Sequence, residues 1–255
     1  MSKLLEVRGL TKRFGGVTAV SDISYDVGAG EIVAVIGPNG AGKTTLFNMI
    51  SCFLSPTNGE VYFKGNKLTG QKIPQLAHLG ISRTFQNLQI FHNLTVLENV
   101  MMGAHVKLKT NVVNAAFRLP RILKDERIAY DLALDAIHLV GLEELMFEQA
   151  GQLSYGLQKQ LEFARAIVYK PDLIMLDEPM AGLNDYETNR MADYIKKLKS
   201  EGSSFLFVEH KMATVMELAD RIIVLDFGKK IAEGTPDEIQ QNAKVIAAYL
   251  GEEVV

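Results

Sequence analysis

The chain has 255 residues with an ordinary globular composition, 47% hydrophobic and 22% charged, and a formal net charge of −3 at pH 7 that argues against broad attraction to nucleic acid. Its only cysteine, Cys52, excludes an intramolecular disulfide. The first residues reach Glu6 and Arg8 too soon for a signal peptide, and no apolar run approaches the ~20 residues that span a bilayer.

Two stretches near the start alternate apolar and polar residues, over 5–10 and 20–27, and each predicts a half-buried strand. The segment Phe14-Gly15-Gly16 lies between them and favours an antiparallel hairpin. Phe14 has two open interpretations at this stage. Its ring either ends a strand against the core or stacks on a nucleotide base.

A glycine-rich motif follows the apolar run 31–36, which predicts a buried strand. It fits G-x-x-x-x-G-K-[ST] at every fixed position, and its residues are Gly37, Pro38, Asn39, Gly40, Ala41, Gly42, Lys43 and Thr44. Glycines let the backbone turn N–H groups towards a phosphate, and the helix predicted from Thr45 adds a positive N-terminus. Lys43 would reach the β- and γ-phosphates, and the Thr44 hydroxyl would ligate Mg²⁺. A chance glycine-rich turn is the alternative, but the flanking strand and helix favour a nucleoside triphosphate site, with Cys52 buried inside that helix.

The next segments predict strands over 59–65 and 81–85, the second ending at Gln86. From 87 to 166 the pattern is helical, with a capping box at Thr95 and Glu98. One helix, over 125–140, is expected to bury a stripe made of Ile128, Leu132, Ala136 and Leu139. We interpret the whole block as a helical subdomain inserted into an α/β core.

Strands and helices alternate again towards the C-terminus. The predicted strands are 172–177 and 205–208, followed by a hairpin of 221–226 and 229–233 over Phe227-Gly228. Helices are predicted over 185–200, with Met191, Ile195 and Leu198 inward, over 210–218, and from Pro236, capped by Thr235. This alternation predicts a largely parallel sheet that binds ligands at the carboxyl ends of its strands.

Five positions outside the glycine-rich motif have candidate chemistry. Asp177 ends a buried strand and could hold Mg²⁺, and Glu178 after it could activate the water that attacks the γ-phosphate. Two acids after a strand are also common at the start of a loop. Ser154 precedes a helix and either caps it or forms a second anion site. Gln86 and His210 each follow a strand, and taken singly such residues are more often structural.

The order of these motifs resembles the ATP-binding cassette family across nearly the whole chain. That order is Phe14, the loop from Gly37 to Thr44, Gln86, Leu153-Ser154-Tyr155-Gly156, Asp177-Glu178, Ala181-Gly182-Leu183-Asn184 and His210. The chain more closely resembles the ATPase subunits of bacterial branched-chain amino acid importers. The supporting segments are Arg83-Thr84-Phe85-Gln86-Asn87-Leu88, Thr95-Val96-Leu97-Glu98-Asn99-Val100 and Ala248-Tyr249-Leu250-Gly251-Glu252.

The resemblance implies one P-loop cassette over 1–255. Residues 1–86 and 167–255 would form a RecA-like core with an antiparallel β subdomain, and 87–166 the helical subdomain. Phe14 would stack on adenine, and the loop through Thr45 would bind ATP. Thr44, Gln86 and Asp177 would hold Mg²⁺, and Gln86 would also take part in catalysis by coupling the ion and the attacking water to the helical subdomain. Glu178 would be the catalytic base, and His210 would contact the γ-phosphate. Ser154, Tyr155 and Gly156 would contact the ATP bound by a second cassette.

The same resemblance implies partners and a location. The partners would be a second cassette, identical or not, integral membrane permease subunits and, indirectly, a substrate-binding protein, with no nucleic acid. The chain would lie at the cytoplasmic face of the cell membrane. The alternatives are another cargo, such as urea or amide uptake or lipopolysaccharide export, and a cassette ATPase acting on DNA or ribosomes. A P-loop kinase or GTPase would not explain Ser154, Glu178 and His210 together.

Some residues depart from the family pattern or remain open. Tyr155 and Leu157 replace a Gly and a Gln of the usual signature, and Asn184 stands where Asp is common. The segment 87–100 is expected to dock a helix of a membrane subunit. Its apolar residues, Leu88, Ile90, Phe91 and Leu94, would either line that surface or cover the subdomain's own core.

Overall fold

The computed structural model describes residues 3–85, 87–107 and 120–250. The chain divides into two compact units. The core unit comprises Met1–Arg83, Asp172–Met180 and Ile195–Val255, and the helical unit comprises Thr84–Pro171 and Ala181–Tyr194. Gln86 and the last five residues lie outside the described residues.

The core unit contains every strand of the two described sheets. In chain order these are β1 (Lys3–Phe14), β2 (Val17–Gly28), β3 (Ile32–Ile36), β4 (Asn58–Phe63), β5 (Asn66–Lys67), β6 (Ile81–Arg83), β7 (Leu173–Asp177), β8 (Ser204–Val208), β9 (Arg221–Asp226) and β10 (Lys229–Gly234). The larger sheet has the order β10-β9-β3-β8-β7-β6, and all its pairs are parallel except β9 with β10. Strands β3, β7 and β8 are buried at every position, which explains why all their residues except Asp177 and Ser204 are apolar. The predicted mostly parallel core is confirmed.

The smaller sheet has the order β2-β1-β4-β5 and is antiparallel throughout. Strands β1 and β2 pair from Lys3–Gly28 to Phe14–Val17, so the turn lies at Gly15-Gly16 as predicted. One face of this sheet packs its apolar residues, including Leu5, Val20 and Phe63, into the same hydrophobic core as β3 and the first helix. The expected antiparallel β subdomain is therefore present.

The helices in chain order are α1 (Lys43–Ile50), α2 (Ile73–Leu79), α3 (Val96–Ala104), α4 (Pro120–Val140), α5 (Tyr155–Ile167), α6 (Asp185–Ser200), α7 (Met212–Leu218), α8 (Pro236–Gln240) and α9 (Ala243–Leu250). Thr95 and Thr235 cap α3 and α8, as predicted for both residues, and each forms a complete capping box. Pro236 accordingly lies in the first turn of α8. Met191, Ile195 and Leu198 of α6 are buried as expected. Within the described residues, no helix has both the length and the apolarity needed to cross a bilayer.

Two expectations about elements were wrong, and one helix was not predicted. Helix α1 ends at Ile50, so Cys52 lies outside it, half-buried and with a left-handed backbone (φ 59°). The strand predicted over 81–85 stops at Arg83, and α2 was not predicted.

The buried stripe of α4 also differs from the prediction, since Ile128 is 40% exposed. Among residues 125–140 of this helix, the buried positions are Ala129, Ala133, Ala136, Ile137 and Val140. Three of these five are alanines, because small residues let helices approach closely. Ala136 was predicted, but a pattern weighted by large side chains missed Ala129 and Ala133.

Candidate active site

The phosphate-binding motif forms the turn between β3 and α1 in the core unit. Gly40 and Gly42 have left-handed backbones, with φ of 82° and 97°. A Cβ atom on Gly42 would lie 2.5 Å from the carbonyl oxygen of Ala19, so only glycine fits there. Gly42 also caps α1 without offering a side chain. The first N–H groups of α1 have no acceptor within the helix, which makes this end suitable for an anion.

The side chain of Lys43 is buried against the same loop with which it would bind phosphate. Its Nζ donates to the carbonyl oxygens of Gly37 at 2.6 Å and Pro38 at 2.9 Å. Burial lowers the pKa of the Lys43 ammonium, and the nearby carboxylate of Glu178 acts in the opposite direction. Glu178 is thus close enough to influence the charge of the loop's lysine. Two carbonyl oxygens hold the ammonium, and phosphate oxygens would take their place if a nucleotide bound.

Asp177 ends β7 and is 4% exposed. Arg83 donates to its Oδ2 at 3.2 Å, donates to Asn48 Oδ1 at 2.8 Å, and also contacts the Ser51 hydroxyl. Burial lowers the pKa of the Arg83 guanidinium, while Asp177 opposes that effect. Sequence reasoning listed Arg83 only within a family segment. An arginine within a strand predicted to lie in the core was the signal that could have identified it as the partner of a buried acid.

The oxygen donors of Thr44 and Asp177 suit a magnesium ion whose other ligands come from the bound substrate. Thr44 is exposed at the start of α1 and offers a hydroxyl oxygen, and Asp177 offers a carboxylate. Among residues 3–85, 87–107 and 120–250, no group of three or more His, Cys, Asp or Glu could hold a metal alone. Mg²⁺ is usually held by one or two protein oxygens together with phosphates and water, so these donors suit it.

Glu178 and His210 form a pair at the ends of neighbouring parallel strands. The Oε1 atom of Glu178 lies 3.0 Å from Nε2 of His210. The Glu178 backbone is left-handed (φ 51°), and its N–H donates to the carbonyl of Val208 at 2.9 Å. Left-handed backbone is uncommon for glutamate and occurs where surrounding contacts impose it, often at functional sites.

Glu209 is a buried residue that sequence reasoning did not select. Its Oε1 accepts from the backbone N–H of Met180 at 2.8 Å. Its Oε2 accepts from the N–H groups of His210 at 2.7 Å and Lys211 at 3.3 Å. The carboxylate therefore joins the loop after β7 to the loop after β8. An acid at the end of an entirely buried strand was the available signal.

Two exposed aromatic residues, Phe14 and Phe227, lie at hairpin turns of the core unit. Phe14, at the β1–β2 turn, is 50% exposed, so it is not a core contact. Lys12 Nζ lies 5.2 Å from the centre of its ring. Phe227, in the β9–β10 turn, is 86% exposed and has a left-handed backbone (φ 41°). The next residue, Gly228, donates its N–H to the carbonyl of Ala41 at 3.1 Å, which ties this turn to the phosphate loop.

The signature residues lie in the helical unit, at the start of α5. Ser154 caps the helix by accepting from Leu157 N–H at 3.5 Å, and it remains exposed. The Tyr155 hydroxyl donates to the carbonyl of Ala181 at 3.4 Å. A Cβ atom on Gly156 would lie 2.0 Å from Oε1 of Glu187. The Glu187 carboxylate would have to move to admit a larger residue at 156, so Gly156 packs closely here independently of any ligand.

Asn184, which stands where the family often has Asp, has a structural role that either residue could fill. Its Oδ1 accepts from Glu187 N–H at 2.9 Å, and Oε2 of Glu187 accepts from Asn184 N–H at 3.0 Å. This reciprocal pair caps α6. An uncharged amide is sufficient for that role.

The segment after Gln86 is fixed by two buried polar residues of the helical unit. Asn99, which is fully buried, accepts from Phe91 N–H at 2.8 Å and donates to the carbonyl of Phe91 at 2.9 Å. Glu162 accepts from Gln89 N–H at 3.1 Å. Phe91 itself is 48% exposed, with the Arg165 guanidinium 5.6 Å from its ring centre. Its backbone is held firmly while its ring faces outwards.

Two family models match the chain. Residues 20–181 match "ABC transporter", and residues 229–255 match "Branched-chain amino acid ATP-binding cassette transporter". The chain is 42% identical over 250 residues to the high-affinity branched-chain amino acid transport ATP-binding proteins BraF of Pseudomonas aeruginosa and LivG of Escherichia coli K12. Each alignment covers 98% of both chains.

Solved structures match over similar lengths. An ATP-binding cassette of an ABC transporter in its ADP conformation is 33% identical, with a TM-score of 0.85, and the match covers 99% of this chain and 100% of the other. A dimeric bacterial ABC transporter cassette is 26% identical, with a TM-score of 0.77, over 91% of this chain and 99% of the other.

Proposed function

The chain belongs to the ATP-binding cassette transporter family, and from that premise we propose that it hydrolyses ATP to drive uptake of branched-chain or other hydrophobic amino acids. The assignment of this cargo rests on the match of residues 229–255 to the branched-chain amino acid transporter family. The 42% identity to two proteins named for that transport, over 98% of this chain, supports this cargo. Separate membrane subunits would form the pathway, with the chain on their cytoplasmic side.

The contacts of the core unit support an assignment of catalytic roles. Glu178 accepts a proton from the water that attacks the γ-phosphate, and His210, 3.0 Å away, contacts that phosphate. Lys43 exchanges its two loop carbonyls for phosphate oxygens, and Phe14 stacks on the adenine. Magnesium, held by Thr44, Asp177 and Gln86, would supply charge neutralisation at the β- and γ-phosphates.

The signature residues act in trans in this proposal. Ser154 is exposed and heads a helix of 13 residues, which suits it to an anion supplied by another molecule. A related cassette is dimeric. We therefore assign Ser154, Tyr155 and Gly156 to the ATP held by a second cassette, so that two chains enclose each nucleotide.

Uptake in a deletion strain tests the proposed cargo. A strain that lacks this gene, and any second system for the same cargo, should lose uptake of labelled leucine, isoleucine and valine. The wild-type gene should restore it, and the Glu178→Gln variant should not. Unchanged uptake in the deletion strain would refute the cargo. A loss restricted to another small molecule, such as urea or an amide, would replace it.

A further inference from the structure

Glu209 is a buried charge that the proposed mechanism does not use. It follows β8 directly, precedes His210, and is only 4% exposed. A buried carboxylate is costly unless hydrogen bonds satisfy it. Here both oxygens accept hydrogen bonds from backbone N–H groups, those of Met180, His210 and Lys211.

These hydrogen bonds join the two loops that carry Glu178 and His210. Met180, which donates to Oε1, lies two residues after Glu178. His210 and Lys211, which donate to Oε2, begin the loop after β8. On the other side of Glu178, its own N–H is bonded to Val208. The left-handed Glu178 is therefore fixed before and after by partners at the end of β8.

We propose that Glu209 is a positioning residue for ATP hydrolysis, which holds the carboxylate of Glu178 against His210. The inference rests on the catalytic roles proposed above. A strained backbone conformation persists only where its surroundings impose it, and the Glu209 carboxylate provides that constraint on the C-terminal side. It does so without touching substrate, so it acts through Glu178.

Glutamine is the sharpest substitution, because it has nearly the same shape but only one acceptor oxygen. Whichever way the amide turns, its NH₂ group meets a backbone N–H of one loop. Glu209→Gln should lower kcat about 10–100-fold, the effect of losing a hydrogen bond to a charged group. The KM for ATP should change little, since the phosphate loop is not involved. The exposed Glu201→Gln is the matched control and should hydrolyse ATP normally.

A double-mutant cycle on the full chain, measured as phosphate release from MgATP, decides the matter. If Glu209 acts through Glu178, Glu209→Gln should add little to the loss already caused by Glu178→Gln. Losses that multiply, a normal kcat in Glu209→Gln, or an equal loss of ATP binding would each overturn the proposal. If Glu178→Gln itself hydrolyses ATP normally, the proposed catalytic base fails instead.

A second variant covers the case in which Glu209→Gln does not fold. Glu209→Asp keeps both acceptor oxygens on a stem shorter by one methylene. Its kcat should fall less than that of the glutamine variant, with the same dependence on Glu178 in the cycle. An aspartate variant whose loss is independent of Glu178 would overturn the proposal equally.

Discussion

At the scale of single residues, Glu178 combines the proposed role of catalytic base with a strained, left-handed backbone. Glu178→Gln should bind ATP yet hydrolyse it at least ~100-fold more slowly, since general-base catalysis contributes about 10²–10⁴. It should also retain the ATP-bound dimer. Nucleotide binding and phosphate release, measured on the same preparation, check this. Near-normal turnover would remove Glu178 from the mechanism.

Phe227 offers a test of strain that does not depend on catalysis. Its left-handed backbone (φ 41°) costs a residue with a bulky side chain about 1–2 kcal/mol, and asparagine tolerates that conformation better. The side chain is 86% exposed, so little packing is lost on substitution. Phe227→Asn should therefore raise Tm by about 2–4 °C in a thermal scan. Phe227→Ala, which keeps a Cβ atom on the strained backbone, should not, and equal Tm values for the two would contradict this account.

At the scale of elements, α5 carries a buried charge that should make stability depend on pH. Burial raises the pKa of the Glu162 carboxyl, against the opposing effects of Lys159, the Gln89 N–H and Arg165. The folded chain thus holds this proton more tightly than the unfolded chain. The contribution is present below the ordinary value of 4.5 and is lost as pH rises through the higher folded pKa.

Glu162→Gln removes that titration and keeps an acceptor for Gln89. The variant should have a higher Tm than the wild type at pH 8, and the difference should shrink as the pH falls towards 4.5. Thermal scans across this range measure it. Glu201→Gln, an exposed change, should show no such trend. A constant Tm difference at every pH would contradict the burial argument.

The segment after Gln86 should meet a membrane subunit through Phe91. The ring is 48% exposed, while Asn99 fixes its backbone, and the neighbouring Leu88, Ile90 and Leu94 are half-buried. Phe91→Asp should abolish amino acid uptake in the complemented deletion strain without changing ATP affinity. The control is Ile73→Asp, at a residue of the core unit with similar exposure, 41%. Full uptake with Phe91→Asp would refute the docking surface.

Strands and caps were predictable from sequence because their signals are local. Continuous apolar runs gave β3, β7 and β8, and capping residues gave the starts of α3 and α8. Helix α2 has only seven residues and a proline in its first turn, which is too short for a periodic signal. The role of Glu209 depends on Met180, 29 residues away, so no local pattern could reveal it.

At the scale of the whole molecule, the two units should fail differently when their ATP contacts are removed. Lys43→Ala should lose nucleotide affinity in the isolated chain, because this lysine acts within its own subunit. Ser154→Ala should keep that affinity and weaken only ATP-driven dimerisation. Nucleotide titration of the monomer and size-exclusion chromatography with ATP separate the two. Equal loss of monomer binding in both variants would contradict a nucleotide shared between two chains.

The strand order of the parallel sheet also sets when the nucleotide site can form during synthesis. Strand β3 ends at the phosphate loop and lies between β8 and β9. It pairs with β8 as far as Val208 and with β9 as far as Val224. About 180 residues separate the loop from the second of these strands, which at ~5–20 residues per second is roughly 10–40 s of translation. Until β8 is made, late in that interval, β3 is an apolar strand without neighbours on either side. A nascent chain should therefore acquire affinity for ATP only after β9 has left the ribosome, and until then β3 should be a binding site for chaperones.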